Sequence, residues 1–250
     1  MMTEVLLLLS FVVSCFGAIP RPDLRIVGGK DTTIKEHPYQ ISLRHSGAHS
    51  CGGSILNTNT ILTAAHCVNY PHAKPNEFSI RAGSTLRNEG GHLVTIDDIF
   101  IHPKYDDWTL EWDIAVLRLA HSLTFSESVQ PILLPSRLFK IRQGSLATVT
   151  GWGGLNYQGP STNFLQKVFV PIVNTVACSK AYANFGAILP FHLCAGAAGF
   201  DACQGDSGGP LVYDGKLIGI VSWGYGCAFN GYPTVYTRVS EFIDFIEEYL

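Results

Sequence analysis

The chain has 250 residues, 46% of them hydrophobic and 15% charged, with a formal net charge of -3 and seven cysteines. This length accommodates one large or two small hydrophobic cores, and the composition excludes a disordered chain. Lacking any run of Lys or Arg, the sequence also argues against a nucleic-acid binder, which depends on clustered phosphate-neutralising charge.

Residues 5–13 (VLLLLSFVV) form an apolar stretch too short to cross about 30 Å of hydrocarbon as a helix. The small residues Ser14, Cys15, Gly17 and Ala18 follow it. Together they read as a secretory signal peptide over 1–17, although only Glu4, and no Lys or Arg, precedes the apolar core. The competing reading is a buried first strand. Removal of the signal would discard Cys15 and leave six cysteines, an even number suited to an oxidising compartment. No other segment approaches 18 consecutive apolar residues, so the expectation is a secreted, extracellular protein without a membrane anchor.

From Ile26 onward, short apolar runs rich in Val, Ile, Thr and aromatics alternate with Gly, Asn, Asp and Pro. They cover 39–43, 54–63, 78–82, 114–119, 146–151, 167–172, 210–213, 217–222 and 234–239. This rhythm predicts an all-β sandwich or barrel. A composition shift over 122–137 (SLTFSESVQPILLPSR) marks a linker between two β halves. Only residues 240–250 carry clear helical spacing, with Ser240 as N-cap and Glu241 and Asp244 near the positive end. The acidic polar face favours a packing helix over a membrane anchor.

Chemistry concentrates in Gly205-Asp206-Ser207-Gly208-Gly209-Pro210. Glycines around a serine let the backbone turn sharply, and successive N–H groups there can converge on an oxyanion. A lone motif of this kind is more often a surface turn. In α/β-hydrolases the base follows the serine, whereas here all nine His precede Ser207 and a strand-like run follows it. A base must therefore lie upstream, and His66 in Thr63-Ala64-Ala65-His66-Cys67 stands among small residues that let an imidazole reach a cleft. Asp113 opens an apolar run at a loop–strand boundary, the type of position from which a carboxylate can orient an imidazole.

With these residues in view, the sequence resembles the trypsin/chymotrypsin family of serine proteases. The matching motifs are Arg25-Ile26-Val27-Gly28-Gly29, the His66 segment, Asp113-Ile114-Ala115-Val116-Leu117, Thr150-Gly151-Trp152-Gly153, the Ser207 segment and Ser222-Trp223-Gly224. Their order, His then Asp then Ser, is that family's order and not the subtilisins'. The resemblance implies two packed six-stranded antiparallel β-barrels, with halves at about 26–125 and 138–238 and a C-terminal helix at 240–250. It implies Ser207 as nucleophile, His66 as base then acid, Asp113 as orienting anion, and Gly205 and Ser207 N–H groups as oxyanion hole. It also implies a propeptide at 18–25, and a new Ile26 ammonium, released after Arg25, that pairs with Asp206.

The family places the base of its primary specificity pocket at Asp201, with Ser222, Trp223, Gly224 and Gly226 along the walls, implying cleavage after Lys or Arg. Thr234 departs from the pattern, standing where trypsins usually carry Gly. Its branched side chain narrows the pocket floor and shields Asp201, which leaves an altered, chymotrypsin- or elastase-like preference as the alternative. The resemblance selects the pairs Cys51–Cys67, Cys178–Cys194 and Cys203–Cys227. Ser84 falls where a first acidic calcium ligand is expected, leaving Glu89 without an acidic partner, so no cofactor and no high-affinity calcium site are expected. Expected partners are protein or peptide substrates, protein protease inhibitors, and an activating protease or the enzyme itself, acting on a monomer. A catalytically silent homologue acting as a binding module is the rival from another class, but His66, Asp113 and Ser207 are all present.

Overall fold

The computed structural model describes residues 27–250; the segments expected to be a signal peptide (1–17) and a propeptide (18–25), together with Ile26, lie outside them. In chain order, the first half contributes β1 (Lys30–Asp31), β2 (Gln40–His45), β3 (Ala48–Ile55), β4 (Thr60–Thr63), β5 (Phe78–Ala82), β6 (His92–Ile101) and β7 (Ala115–Leu119). The second contributes β8 (Leu146–Gly151), β9 (Gln166–Val173), α1 (Thr175–Ala181), β10 (His192–Ala195), β11 (Pro210–Tyr213), β12 (Lys216–Trp223), β13 (Thr234–Arg238) and α2 (Ile243–Glu247).

Strands β2-β3-β4-β7-β6-β5 close into an antiparallel barrel, and the β8–β9 pairing closes β8-β9-β10-β13-β12-β11 into a second. The fold is therefore all-β with two six-stranded barrels. Alternation explains each wall: in β5, Phe78, Ile80 and Ala82 are fully buried while Ser79 and Arg81 between them are not, the period of a one-sided strand. Inward residues of the first barrel and the C-terminal helix (Phe242, Phe245, Ile246) form one continuous cluster. Closure leaves neither barrel with a free edge.

Several local expectations change. The apolar run 54–63 is two strands, because a four-residue turn between Ile55 and Thr60 reverses the chain. Strand β6 was not anticipated, since Asp97 and Asp98 interrupt its apolar residues and half of its side chains are exposed, and neither was β10. Helix α1 is capped by Asn174, whose side chain accepts from the Val176 and Ala177 amides. The C-terminal helix begins with a tight 3₁₀ turn at Val239–Phe242, so Ser240 lies inside that turn and provides no cap. Strand β1 precedes the first barrel in sequence yet pairs with β9 of the second. The segment 122–137 laces the halves together: Leu123 and Ile132 donate to Thr58 and Ile55 of the first half, and Leu133 accepts from Leu217 of the second.

Candidate active site

The end of β4 and the start of β7 lie side by side, with Thr63 opposite Ala115. His66, in the 3₁₀ turn Ala65–Cys67 after β4, therefore meets Asp113 just before β7. His66 Nδ1 lies 2.7 Å from Asp113 Oδ2, and the His66 amide donates to Oδ1 at 3.0 Å. The carboxylate is buried, and the second barrel holds it as well: Ser222 Oγ donates to Oδ2 at 2.5 Å, and Thr237 Oγ1 donates to the Asp113 carbonyl at 2.7 Å. The carboxylate accepts at Nδ1, which leaves Nε2 of a neutral imidazole as the basic nitrogen. Ser222 thus lines the pocket, as the family pattern implies, and also braces Asp113, a role the sequence did not reveal.

Ser207 is held against the first barrel. The Gly52 amide donates to its carbonyl at 2.7 Å. Gly208 adopts φ +74, and a Cβ there would lie 2.2 Å from Thr63 Oγ1 and 3.1 Å from Cys67 Sγ. Only glycine allows the serine loop to approach so near the disulfide that adjoins His66. Among the described residues no hydrogen bond joins Ser207 to His66, whose Nε2 lies 3.7 Å from Cys67 Sγ. Such contacts commonly tighten only with substrate in place. Gly205 adopts φ +95, and its carbonyl meets His49 Nε2 at 3.0 Å while His49 Nδ1 meets Ser42 Oγ at 2.8 Å. A carbonyl only accepts, so Nε2 carries the proton and Nδ1 accepts from the hydroxyl. Burial lowers the His49 pKa to about 4, keeping it neutral.

Beside Ser207 a cavity of about 110 Å³ is bounded by Ala202, Trp223, Gly224, Gly226 and Thr234. Asp201 is buried behind this lining, its oxygens accepting from the Ala202 and Ala228 amides, with the polar Thr234 side chain nearby. Burial raises its pKa to about 7, against the opposing pull of those hydrogen bonds. Asp206 is fully enclosed, and its two oxygens accept from the Gly153 and Cys203 amides at 2.9 Å each. Desolvation raises its pKa to about 6. A Cβ on Gly151 or Gly153 would come within 2.1 or 2.5 Å of that carboxylate, which explains both glycines of the Gly151-Trp152-Gly153 motif.

The disulfides are Cys51–Cys67, Cys178–Cys194 and Cys203–Cys227. The ligand atoms of Cys51, His66 and Cys67 lie within 4.8 Å of one another, but the sulfurs are bonded to each other, so no thiolate is available to a metal.

The family description Trypsin matches residues 26–246. The chain belongs to the trypsin family. It is 44% identical over 231 residues to the vitellin-degrading protease of Bombyx mori, covering 92% of this chain and 87% of that protein. Trypsin 5G1 of Aedes aegypti is 42% identical over 227 residues, 90% of this chain and 84% of its own length. Trypsin alpha of Drosophila melanogaster is 44% identical over 247 residues, 96% and 95% of the two chains. The protein is a trypsin-like serine endopeptidase that acts on polypeptides. Among the described residues no helix is long and apolar enough to cross a membrane.

Proposed function

We propose that the chain is secreted as a zymogen, is activated by cutting between Arg25 and Ile26, and hydrolyses peptide bonds after Lys or Arg. The observation carrying this reading is the buried Asp201 carboxylate behind the floor of the cavity that Ser207 borders. A cationic side chain entering the cavity sheds water, and its attraction to Asp201 grows as the local dielectric falls. Binding of that cation also draws the Asp201 pKa back down from about 7.

Ser207 Oγ attacks the scissile carbonyl as His66 Nε2 accepts its proton. Asp113 stabilises the imidazolium and keeps it oriented. These roles are borrowed from the reference triad of this same family. The Gly205 and Ser207 amides donate to the developing oxyanion, where loss of one donor typically costs about 10²–10³ in turnover. His66 then gives its proton to the leaving amine, and water releases the acyl group by the reverse sequence.

The α-ammonium released at Ile26 supplies a partner for Asp206, an enclosed carboxylate that is costly to ionise alone. Arg25 matches the proposed preference, so the enzyme itself is a candidate activator, and protein inhibitors that fill the cleft are the expected regulators of a monomeric enzyme. Calcium is not required on this reading. The Ser84 hydroxyl contacts the Leu86 and Glu89 carbonyls, and Arg81 contacts that of Gly90. A cationic side chain within the loop does not suit a dication.

A second reading rests on Thr234, which lies between the cavity and Asp201: a narrowed pocket favours smaller apolar side chains. Secreted wild-type and Arg25→Gln proteins, assayed on peptides ending in Lys, Arg, Phe or Ala, distinguish these readings. Full activity of Arg25→Gln refutes the zymogen, and a dominant Phe or Ala preference refutes the cationic pocket.

A further inference from the structure

On the outer face of the first barrel, three arginines cluster beside the loop that holds Ser207. In β2 and β5 the inward residues are Ile41, Leu43, Ile80 and Ala82, all fully buried. Arg44 and Arg81 therefore face outward. Ser42 pairs with Arg81 and Arg44 with Ser79, making the two arginines diagonal neighbours across the ladder. Across the opposite edge of β2, Arg44 pairs with His49, the residue whose ring touches the Gly205 carbonyl. Arg87 completes the group, because its carbonyl accepts from Arg44 Nη1 at 3.2 Å.

Each guanidinium is held by neutral partners. Arg44 also donates to the Gly47 carbonyl, Arg81 to that of Gly90, and Arg87 to Ser161 Oγ at 2.7 Å. Among the described residues none of the three forms an ion pair with a carboxylate. Glu77, the nearest acidic residue along β5, lies 3.7 Å from His45 instead, and Glu89 offers its backbone carbonyl to Ser84. The Arg81 and Arg87 Nε atoms are buried without any acceptor. Burial and then the Arg81 and Arg87 charges depress the Arg44 pKa, yet an arginine stays protonated throughout the working pH range. Three unneutralised, pre-positioned cations in a chain of net charge -3 form a local reversal of sign.

The cavity lining comes from Ser207 and from segments around 202–204, 221–224, 226–227 and 234, all in the second half, whereas this cluster lies on the first barrel across the Gly205–Ser207 loop. With the residue before the scissile bond in the proposed cavity, the arginines lie on the other side of the Gly205–Ser207 loop, where the chain after that bond would run. We infer that Arg44, Arg81 and Arg87 form a docking surface for an acidic stretch of polypeptide on the leaving-group side of the scissile bond. Arginine forks match carboxylates in two-point geometry, and fixed side chains lose little further freedom on binding. The inference rests on the family's peptidase activity and is independent of which side chain fills the cavity.

The test uses two fluorogenic peptides identical through the first residue after the bond, followed by four Glu/Asp in one and four Gln/Asn in the other. A short amide substrate with no such residues serves as control. The active wild-type enzyme should favour the acidic peptide about tenfold in kcat/KM at low salt, from several weak, screened pairs acting together. The preference should fall below about twofold in 0.5 M NaCl, where screening lengths shrink to a few ångströms. Arg44→Gln/Arg87→Gln should lose the preference while cleaving the short substrate normally. Equal rates on the two peptides, a salt-insensitive preference, or an equal loss on the short substrate overturns the inference. If that variant does not fold, a free acidic hexapeptide should inhibit wild-type cleavage of the acidic peptide and not of the short substrate. Inhibition by heparin oligosaccharides without inhibition by the hexapeptide would assign the surface to a polysaccharide and overturn the proposal.

Discussion

Replacing Thr234 with glycine tests the pocket most directly. The side chain removed has three heavy atoms, and because a water's share of liquid volume is about 30 Å³, the change opens on the order of 60 Å³ in a cavity of about 110 Å³. It also removes the polar Thr234 side chain beside Asp201, leaving that carboxylate free to accept from the substrate. A direct bond between a guanidinium and a carboxylate contributes about 1.5–3 kcal/mol more than a separated one, or roughly 10- to 100-fold in kcat/KM. Arg substrates should therefore gain by that factor and Lys substrates by less, since an ammonium can be bonded by the Thr234 hydroxyl itself. Thr234→Ala, which keeps the start of β13 less flexible than glycine would, should give part of the gain. The assay is steady-state hydrolysis of matched Arg, Lys and Phe peptides, with unfolding temperatures confirming that each variant is folded. The reasoning is refuted if Arg hydrolysis does not rise in either variant.

Other predictions follow from the same geometry. In the unliganded enzyme Asp201 ionises only near pH 7, so the ratio of Lys/Arg to Phe hydrolysis should rise as pH increases through about 7; taking the ratio cancels pH effects common to both substrates. Ser222→Ala removes the 2.5 Å bond to Asp113, a loss of about 1.5–3 kcal/mol of charge-assisted bonding, so kcat should fall at least tenfold and the pH–rate profile should move. An unchanged profile would reduce Ser222 to a pocket wall. Gly153→Ala forces a Cβ to within 2.5 Å of Asp206 Oδ2, and thermal unfolding should show about 1–3 kcal/mol of destabilisation together with reduced turnover. Removing Cys51–Cys67, which closes 16 residues, should cost about 3 kcal/mol and lower Tm by roughly 6–12 °C.

The strands that the sequence revealed are those with strong one-sided alternation, such as β5, or near-continuous burial, such as β7. Strand β6 escaped because its pairing is satisfied along the backbone while half of its side chains stay exposed and two aspartates break its apolar pattern. Helix α1 spans only seven residues, too few for a helical period to register. The site was legible as local motifs because their chemistry demands particular residues close together in the chain: serine between glycines, histidine among small residues, an acid at a strand start.

By itself the sequence determined the strand rhythm and the inventory of reactive groups, because each depends on near neighbours along the chain. Tertiary structure decided what surrounds those groups. Asp113 is positioned by β4–β7 register and by Ser222 from the other barrel, 109 residues away. Asp201 is buried outside the cavity lining that includes Thr234, and Asp206 is enclosed by the glycines at 151 and 153. The arginines gather only when β2, β5 and the loop carrying Arg87 come together. Burial and through-space charge depend on distances between segments remote in sequence, and only the closed barrels set those distances.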